Sequence, residues 1–314
     1  MLRYVIRRVL YAFPILIGVS LLTFFLFYAS ASPRQIARNN ISAKNPSEKV
    51  INDWLVKHGY DRPLPEQFAH HMGSLMLLKF GKSDATNGED IWGRIRAGAP
   101  PSFMIAALTF VASLITTIVG ALLFAYFRGT YVDYWGTFLC VLLMSVVYIV
   151  YIVAGQYLLG KVLKYAPLAG FREGADAWKF VIVPTIIGIV SGFGGSTRLY
   201  RTFMLDEMNQ DYVRTARAKG VSEQGILFKH VLKNAAIPIL TSSAAAIPAL
   251  FLGSLVTETF FNIPGLGSYT VDAINGQDFA VVRAMVFLGA LLTIIGFLIT
   301  DLSYALVDPR VRLE

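Results

Sequence analysis

Long apolar stretches alternate with short polar connections over most of this 314-residue chain. Six stretches contain no Asp, Glu, Lys or Arg, namely residues 9–33, 97–127, 134–160, 180–197, 234–257 and 284–300. A membrane-spanning helix needs about 20 mostly apolar residues, within a range of about 17–25. The pattern therefore predicts an all-α membrane protein with six transmembrane helices. An even number of crossings places both termini on one side of the membrane.

The connection between the first two predicted helices differs from the others, because residues 34–96 are polar and contain several prolines. This composition predicts a small extracytoplasmic subdomain of short helices and loops. The chain then divides into a first transmembrane helix with its N-terminal cytoplasmic end (1–33), the subdomain (34–96), a transmembrane core (97–309) and a cytoplasmic tail (310–314).

The composition agrees with a membrane protein, with 55% hydrophobic residues, 15% charged residues and a mean hydropathy of +0.56. The net charge of +8 could indicate a nucleic-acid partner. Cytoplasmic loops rich in Lys and Arg explain it more simply. Basic residues in the short connections gather before the first predicted helix, at 198–233 and at the C-terminus. Both termini and the 198–233 loop are therefore predicted to be cytoplasmic.

Few residues suggest chemistry within this chain. The first apolar stretch is longer than a signal-peptide core of about 7–15 residues, so we expect it to be retained. The single cysteine, Cys140, excludes an internal disulfide. The three histidines His58, His70 and His71 lack the spacing of a metal site. We expect no bound metal, no nucleotide and no catalysis by this chain alone.

The 198–233 loop carries the most informative local pattern. Residues 212–218 are good helix formers, and Gly220 is placed as the glycine that ends a helix. Ser222 and Glu223 then suit the start of a second helix. Two short helices joined by a glycine turn would form a rigid knob. A solvated loop that only fixes the topology is equally compatible with these residues.

Three further features sit at or near the predicted helix ends. Gly188 and Gly192 have the small-xxx-small spacing that permits close helix packing, although lining of a substrate path is an alternative. Glu258 and Asp301 lie near the ends of predicted helices, where we expect them to pair with an arginine or to cap a helix. Residues 262–267, Asn-Ile-Pro-Gly-Leu-Gly, predict a turn that is either a plain connector or a gate-like loop.

Several motifs, in the same order, resemble the oligopeptide/dipeptide branch of ABC importer permeases. The segment 214–220, Arg-Thr-Ala-Arg-Ala-Lys-Gly, is similar to the cytoplasmic loop by which such permeases contact their ATPases. Residues 4–8, 59–65, 80–83, 234–238, 258–267 and 307–310 extend the resemblance over nearly the whole chain.

The resemblance implies a type I ABC importer permease fold in a bacterial inner membrane. It implies that this transport subunit works with a homologous second permease, two ATPases, an extracytoplasmic substrate-binding protein and the lipid bilayer. ATP and Mg would be bound by the partner ATPases, with no nucleic acid involved. The implied ATPase-coupling residues are Tyr212, Arg214, Thr215, Ala216, Arg217, Ala218, Lys219, Gly220 and Val221. On this basis Arg214, Arg217 and Lys219 are expected to pair with acidic groups of the ATPase, and Ala216 and Ala218 to enter its groove.

The resemblance also suggests gate and path residues. Glu258, Pro264, Gly265 and Gly267 would form an extracytoplasmic gate or turn. Ser145, Tyr148, Gly188 and Gly192 would border the substrate path.

Two departures from the family pattern concern this path. The third predicted helix lacks the usual proline after Ser145, so we expect it to run straight there. The fourth keeps only its proline, Pro184, without the preceding His and Leu.

Peptides are the cargo that the resemblance implies, with nickel chelates, glutathione or oligosaccharides as alternatives. A self-contained channel or carrier would need paired charges at mid-membrane depth, which the sequence does not contain. A non-transporting membrane scaffold is the alternative of another class.

Overall fold

The computed structural model describes residues 2–30, 32–41, 46–84, 88–172, 174–244, 246–247, 250 and 253–307. The predicted tail at 310–314 and part of the fifth predicted helix lie outside these residues. Within the described part the chain is helical, without strands beyond one isolated bridge between Lys82 and Asp90.

The helices follow one another through short connections. The first part of the chain forms α1 (Leu2–Ser30), α2 (Pro33–Asn40), α3 (Glu48–Lys57), α4 (Leu64–Met76), α5 (Ile91–Tyr126), α6 (Tyr131–Met144) and α7 (Tyr148–Gly155), which continues into a π-helix (Gln156–Val162). The second part forms α8 (Ala177–Met208), α9 (Asp211–Ala218), α10 (Glu223–Gly225), a π-helix (Ile226–Val231), α11 (Leu232–Ala244), α12 (Leu255–Phe261), α13 (Leu266–Asn275) and α14 (Phe279–Val307).

The part of the chain that the structure describes contains fewer long helices than the sequence predicts. In the described residues, four helices are long and apolar enough to cross a membrane: Tyr4–Ser30 of α1, α5, α8 and Phe279–Leu302 of α14. Counting α6 and α7 with its π-helix as one bent span raises the number to five. The remaining predicted helix, 234–257, is divided between α11, which ends at Ala244, and α12, which begins at Leu255.

The expectation of a straight third helix is wrong. The chain bends by 94° between α6 and α7, without a proline. Val147 leaves the helical conformation, with φ −67° and ψ 141°. The phenol of Tyr151 donates to the Leu143 carbonyl over 2.6 Å, and Ser145 Oγ donates to the Val141 carbonyl over 2.8 Å. These side chains provide partners for carbonyl groups at the end of α6, so the break leaves fewer backbone groups unsatisfied.

The described residues between 32 and 90, termed the cap segment, cover the end of the bundle where α5 and α14 begin. The ring of Phe27 in α1 packs edge-on against Phe279 at 4.2 Å and stacks on Tyr60 at 5.6 Å. Two buried carboxylates join the cap segment to α14. The Asp278 carboxylate accepts the Asp84 N–H over 3.1 Å, and Asp84 accepts the Ala280 N–H over 3.2 Å.

Both ends of the described chain lie at the opposite end of the bundle. Helices α1 and α14 run antiparallel, because Phe27 meets Phe279 while Arg8 meets Asp301. The Arg8 guanidinium contacts the Asp301 carboxylate at 2.5 Å, and the Tyr4 phenol donates to the same carboxylate over 2.7 Å. The prediction that Asp301 pairs with an arginine is confirmed.

Helix α8 packs tightly against its neighbours because glycines face them. A Cβ at Gly188 would lie 2.5 Å from Thr109 Cγ2 of α5, and one at Gly194 would collide with the Cys140 carbonyl oxygen of α6. The tight-packing interpretation is therefore confirmed at Gly188. Gly192 has more room, since its Cβ would lie 3.7 Å from Ser113 Oγ.

Two adjacent glycines test this packing directly. We expect Gly194→Ala to destabilise the protein, because the clash is with a backbone atom that cannot move cheaply and overpacking costs about 1–3 kcal/mol. Gly195→Ala is the matched control, since its Cβ would meet nothing within 4 Å and alanine favours a helix by about 0.5–1 kcal/mol over glycine. Thermal unfolding of the two purified variants in detergent should give a lower melting temperature for Gly194→Ala than for Gly195→Ala. Equal melting temperatures would contradict the packing described.

Candidate functional site

A cavity of about 510 Å³ lies between α5, α7, α8 and the segment from Ser242 to Glu258. Hydroxyl-bearing side chains dominate its polar lining: Ser102, Thr109, Ser113, Thr117, Tyr148, Ser196, Tyr200, Ser242, Ser243, Ser254 and Thr257. Among the described lining residues, Glu258 is the only Asp, Glu, Lys or Arg. The polar groups of the lining are thus almost all uncharged hydroxyls, set among apolar residues such as Ile105, Phe110 and Leu114.

Glu258 lines one side of this cavity and is itself buried. Its side chain is 1% exposed. One carboxylate oxygen accepts the Ser254 N–H over 2.9 Å, and the other accepts the N–H groups of Gly267 (2.7 Å) and Ser268 (3.2 Å). The Ser102 hydroxyl also hydrogen bonds to the carboxyl group. The carboxylate faces the first turn of α13, where backbone N–H groups point outward and favour a negative charge.

We name this group the Glu258 clamp, comprising Ser102, Ser254, Glu258, Gly265 and Gly267. A Cβ at Gly265 would collide with the Glu258 carboxylate, and one at Gly267 would lie 2.7 Å from the Ser254 backbone. Both glycines are therefore required for the close approach. The clamp joins α5 to α12 and α13, because Ser102 Oγ also accepts the Leu266 N–H over 2.8 Å.

The predicted gate residues thus come together in part. Glu258, Gly265 and Gly267 meet in the clamp, which confirms the capping interpretation of Glu258. Pro264 lies beside a second, polar cavity of about 430 Å³ that Arg94 and Asp272 also line. Sequence reasoning missed Ser102, which sits 164 residues before Leu266 inside an apolar run and carries no local signal.

Two of the four predicted path residues line the large cavity, namely Tyr148 and Gly188. The Tyr148 phenol bonds to the Thr257 hydroxyl at 2.7 Å, which ties α7 to α12. Ser145 is instead exposed at the end of α6 and bonded to its own helix. Gly192 faces Ser113 of α5 and is not among the lining residues.

At the other end of the bundle, α9, α10 and the turn between them form a compact unit, termed the knob (residues 211–225). The Val221 N–H donates to the Ala216 carbonyl over 3.2 Å and the Gly220 N–H to the Arg217 carbonyl over 3.0 Å. Gly220 has φ +78°, the left-handed conformation that favours glycine after a helix. The Ser222 hydroxyl then caps the next helix by accepting the Gly225 N–H. The predicted helix, glycine turn and second helix are confirmed.

The knob packs firmly on the bundle. Val213 and Ala216 are buried in one hydrophobic cluster with Ala125 of α5, Met204 of α8 and Val231. Ala216 is only 6% exposed. A groove-entering role therefore does not suit Ala216, because its methyl group faces the bundle of its own chain. Tyr212 and Val221 also pack against this cluster.

The opposite face of the knob is exposed and carries Arg214, Thr215, Arg217, Ala218, Lys219 and Gly220. Arg217 is already bound within the knob, since Nε and Nη2 donate to the two Glu223 oxygens over 2.6 and 3.1 Å. The hydrogen bond from Arg217 lowers the pKa of the Glu223 carboxyl. Arg214 contacts Asp211 at 3.5 Å. Lys219 makes no ion pair within the described residues.

Known proteins resemble this chain over its full length. Residues 117–313 match the family described as binding-protein-dependent transport system inner membrane component. Residues 1–89 match the N-terminal family of such membrane components.

Three relatives illustrate the likeness. The oligopeptide transport system permease protein AppB of Bacillus subtilis is 31% identical over 99% of this chain and 100% of its own length. A probable peptide ABC transporter permease protein of Sinorhizobium fredii is 30% identical, over 98% of this chain and 99% of its own. The dipeptide transport system permease protein DppB of Bacillus subtilis is 29% identical, over 100% and 99%. The resemblance inferred from the motifs is confirmed: the chain belongs to the binding-protein-dependent transport system inner membrane components and is a permease subunit of an ABC transporter.

Proposed function

We propose that this protein forms half of the translocation path of an ATP-driven peptide importer and is driven through its knob. One observation carries the proposal: two of the helices that line the cavity, α5 and α8, are also helices on which the knob is packed. Thr117 of α5 lines the cavity, and Ala121, one turn further on, lies in the cluster that holds the knob. Tyr200 of α8 belongs to both.

This continuity supports a mechanical link between the knob and the cavity wall. Tyr200 also contacts the Ser243 hydroxyl at 2.8 Å, which connects α8 to the last turn of α11. A packed helix pair moves as a rigid element rather than deforming continuously. Displacement of the knob by a closing pair of ATPases would therefore shift α5 and α8 together. Alternating access to the cavity would follow, with ATP and Mg bound by the partner ATPases.

The exposed face of the knob is the surface that would meet an ATPase. Ala218 and Gly220 provide a smooth exposed patch, and Lys219 provides a cation without an ion-pair partner in the described chain. Arg217 differs, because Glu223 already occupies its guanidinium. We therefore assign Arg217 to bracing the knob and Ala218, Lys219 and Gly220 to docking.

The same arrangement supports an orientation in the membrane. The knob and both ends of the described chain lie at one end of the bundle, and the cap segment at the other. The basic residues of the 198–233 loop favour the cytoplasm for the knob end of a protein in a bacterial inner membrane. The cap segment and the Glu258 clamp would then face an extracytoplasmic substrate-binding protein, and a homologous second permease would complete the path.

The names of the relatives favour peptides as cargo over nickel chelates, glutathione or oligosaccharides. A non-transporting scaffold is disfavoured, because it would need neither the hydroxyl-lined cavity nor its link to the knob. The test is uptake of labelled di- and oligopeptides by cells that lack this chain. We expect uptake to be lost and to return with the restored chain. Unchanged peptide uptake, with loss of one of the other cargoes, would contradict the peptide assignment.

The glycine turn of the knob gives a second test. Gly220→Val should reduce peptide uptake tenfold or more, although the protein should still insert into the membrane. The reason is that a β-branched residue disfavours the left-handed conformation at φ +78°. Gly220→Asn is the matched control, since asparagine tolerates this conformation. The measurement is ATP hydrolysis and peptide uptake by the same purified, reconstituted importer. Full uptake by the valine variant would count against the knob as the coupling element.

Exchanging the charges of Arg217 and Glu223 tests whether Arg217 stabilises the knob internally or contacts the ATPase directly. Arg217→Glu alone should reduce co-purification of the ATPase several-fold, because it places two carboxylates side by side. Combining it with Glu223→Arg should restore the internal pair and most of the assembly. Lys219→Glu should weaken assembly without rescue by any change at position 223. If the double swap were as defective as Arg217→Glu, Arg217 would have to contact the partner directly.

A further inference from the structure

The geometry points to a binding subsite for uncharged peptide backbone groups, formed by the hydroxyls of Thr109, Ser113 and Ser196. This inference rests on the proposed function and deepens it, because it concerns how the cavity recognises its cargo. It depends on which lining hydroxyls are already bonded, on how α5 and α8 meet, and on the charge of the cavity.

Most hydroxyls around the cavity are already engaged within the protein. Thr117 Oγ1 donates to the Ser113 carbonyl over 2.7 Å. Tyr148 bonds to Thr257 at 2.7 Å, and Ser254 donates to Thr257 over 2.8 Å. The remaining engaged hydroxyls are those of Tyr200 and Ser243, which bond to each other, Ser242, which bonds to its own helix, and Ser102, which belongs to the clamp.

Three lining hydroxyls are left over. Thr109 Oγ1 is buried without a hydrogen-bond partner in the described residues. The hydroxyls of Ser113 and Ser196 line the cavity, and within the described chain they make no hydrogen bond either. A buried hydroxyl without a partner costs about 1–3 kcal/mol. A polar ligand that enters the cavity would therefore satisfy groups that the protein itself does not.

The three hydroxyls follow one seam between two helices. Thr109 lies opposite Gly188, and Ser113 lies opposite Gly192. Ser196 takes the next position on the same face of α8, four residues after Gly192. Gly192 leaves room beside Ser113, because a Cβ there would lie 3.7 Å from Ser113 Oγ, whereas Thr109 Oγ1 is buried where Gly188 packs against its side chain.

The spacing along the seam is comparable to that of a peptide. Successive positions on one helix face are about 5–6 Å apart. In an extended peptide, groups pointing to the same side repeat every two residues, or about 6.5–7 Å. Neighbouring hydroxyls of the seam could therefore engage successive backbone groups on one side of a peptide.

The chemistry of the seam favours backbone groups over charged ones. A hydroxyl both donates and accepts, so it can serve an amide N–H or a carbonyl. The lining contains no Lys or Arg in the described chain, and its one carboxylate, Glu258, is occupied by backbone N–H groups. The cavity therefore has no free charge with which to select a terminus or a side chain. Recognition would be blind to the sequence of the cargo.

The test uses the intact importer with its partner subunits in membrane vesicles. Uptake is measured for three labelled tripeptides that share one backbone and carry Ala, Lys or Glu at the centre. We expect Ser113→Ala combined with Ser196→Ala to lower uptake of all three by a similar factor of about ten, the loss expected for two neutral hydrogen bonds. Ser196→Thr, which keeps the hydroxyl, should retain most of the uptake.

A matched control and a modified cargo sharpen the result. Thr116→Val removes a hydroxyl of the same helix that bonds to the Ala112 carbonyl over 2.8 Å and is absent from the cavity lining, so uptake should be unchanged. A tripeptide with N-methylated amides has lost its N–H donors. The double variant should therefore reduce uptake of this peptide by a smaller factor than it reduces uptake of the unmodified peptides. Each factor is the ratio between the uptake of one peptide by the wild-type importer and its uptake by the variant. The preference of the substrate-binding protein for that peptide is the same in both and therefore cancels.

The outcomes separate this inference from the proposed function. If the wild-type importer carries these peptides but the double variant alters only the Lys or only the Glu peptide, or alters none, the subsite is overturned while the peptide importer stands. If the wild-type importer carries no peptide, the proposed function fails and the inference fails with it. Assembly is followed by co-purification, and Ser196→Thr keeps the test valid should the double variant fold poorly.

Discussion

The close packing of α8 against α5 is the contact on which the rest of the structure depends. Thr109 lies opposite Gly188, and the two helices remain together as far as the cluster that includes Ala125 and Met204. One helix pair therefore forms both the wall of the cavity and the base of the knob. Interiors are packed too densely to absorb a displacement by compression. On the proposed function, a push on the knob would be transmitted along these helices to the cavity.

The Glu258 clamp limits how far that movement can spread at the other end. Ser102 lies near the start of α5 and is bonded both to the Glu258 carboxyl and to the Leu266 N–H. Helices α12 and α13 must accordingly move with α5 or break a buried, fully bonded carboxylate, and leaving such a group without partners is costly. The glycines of the clamp serve the same end, because any side chain at Gly265 would displace the carboxylate. The clamp thus holds α5, α12 and α13 together beside the cavity.

Local features could be predicted from the sequence, and features made by distant residues could not. The knob was predictable because a positive φ at Gly220 and a cap at Ser222 are properties of a few adjacent residues. The burial of Ala216 against the bundle could also be predicted from the sequence, since Val213 and Ala216 lie three residues apart on one helix face. The bend after Met144 had none, because it depends on Tyr151 bonding to the Leu143 carbonyl and on Tyr148 reaching Thr257. The role of Ser102 could not be predicted for the same reason, since its partners lie in the last third of the chain.

Crosslinking from single cysteines on α9 tests the central claim most directly. Cys140 is the chain's only native cysteine and is buried, so it should not interfere. A cysteine at exposed Ala218 is predicted to crosslink to an ATPase subunit in intact cells, with a yield that changes when ATP is bound. A cysteine at buried Ala216 is predicted not to react. Equal crosslinking from both positions, or none from Ala218, would contradict a knob that is packed on the cavity helices by one face and pushed through the other.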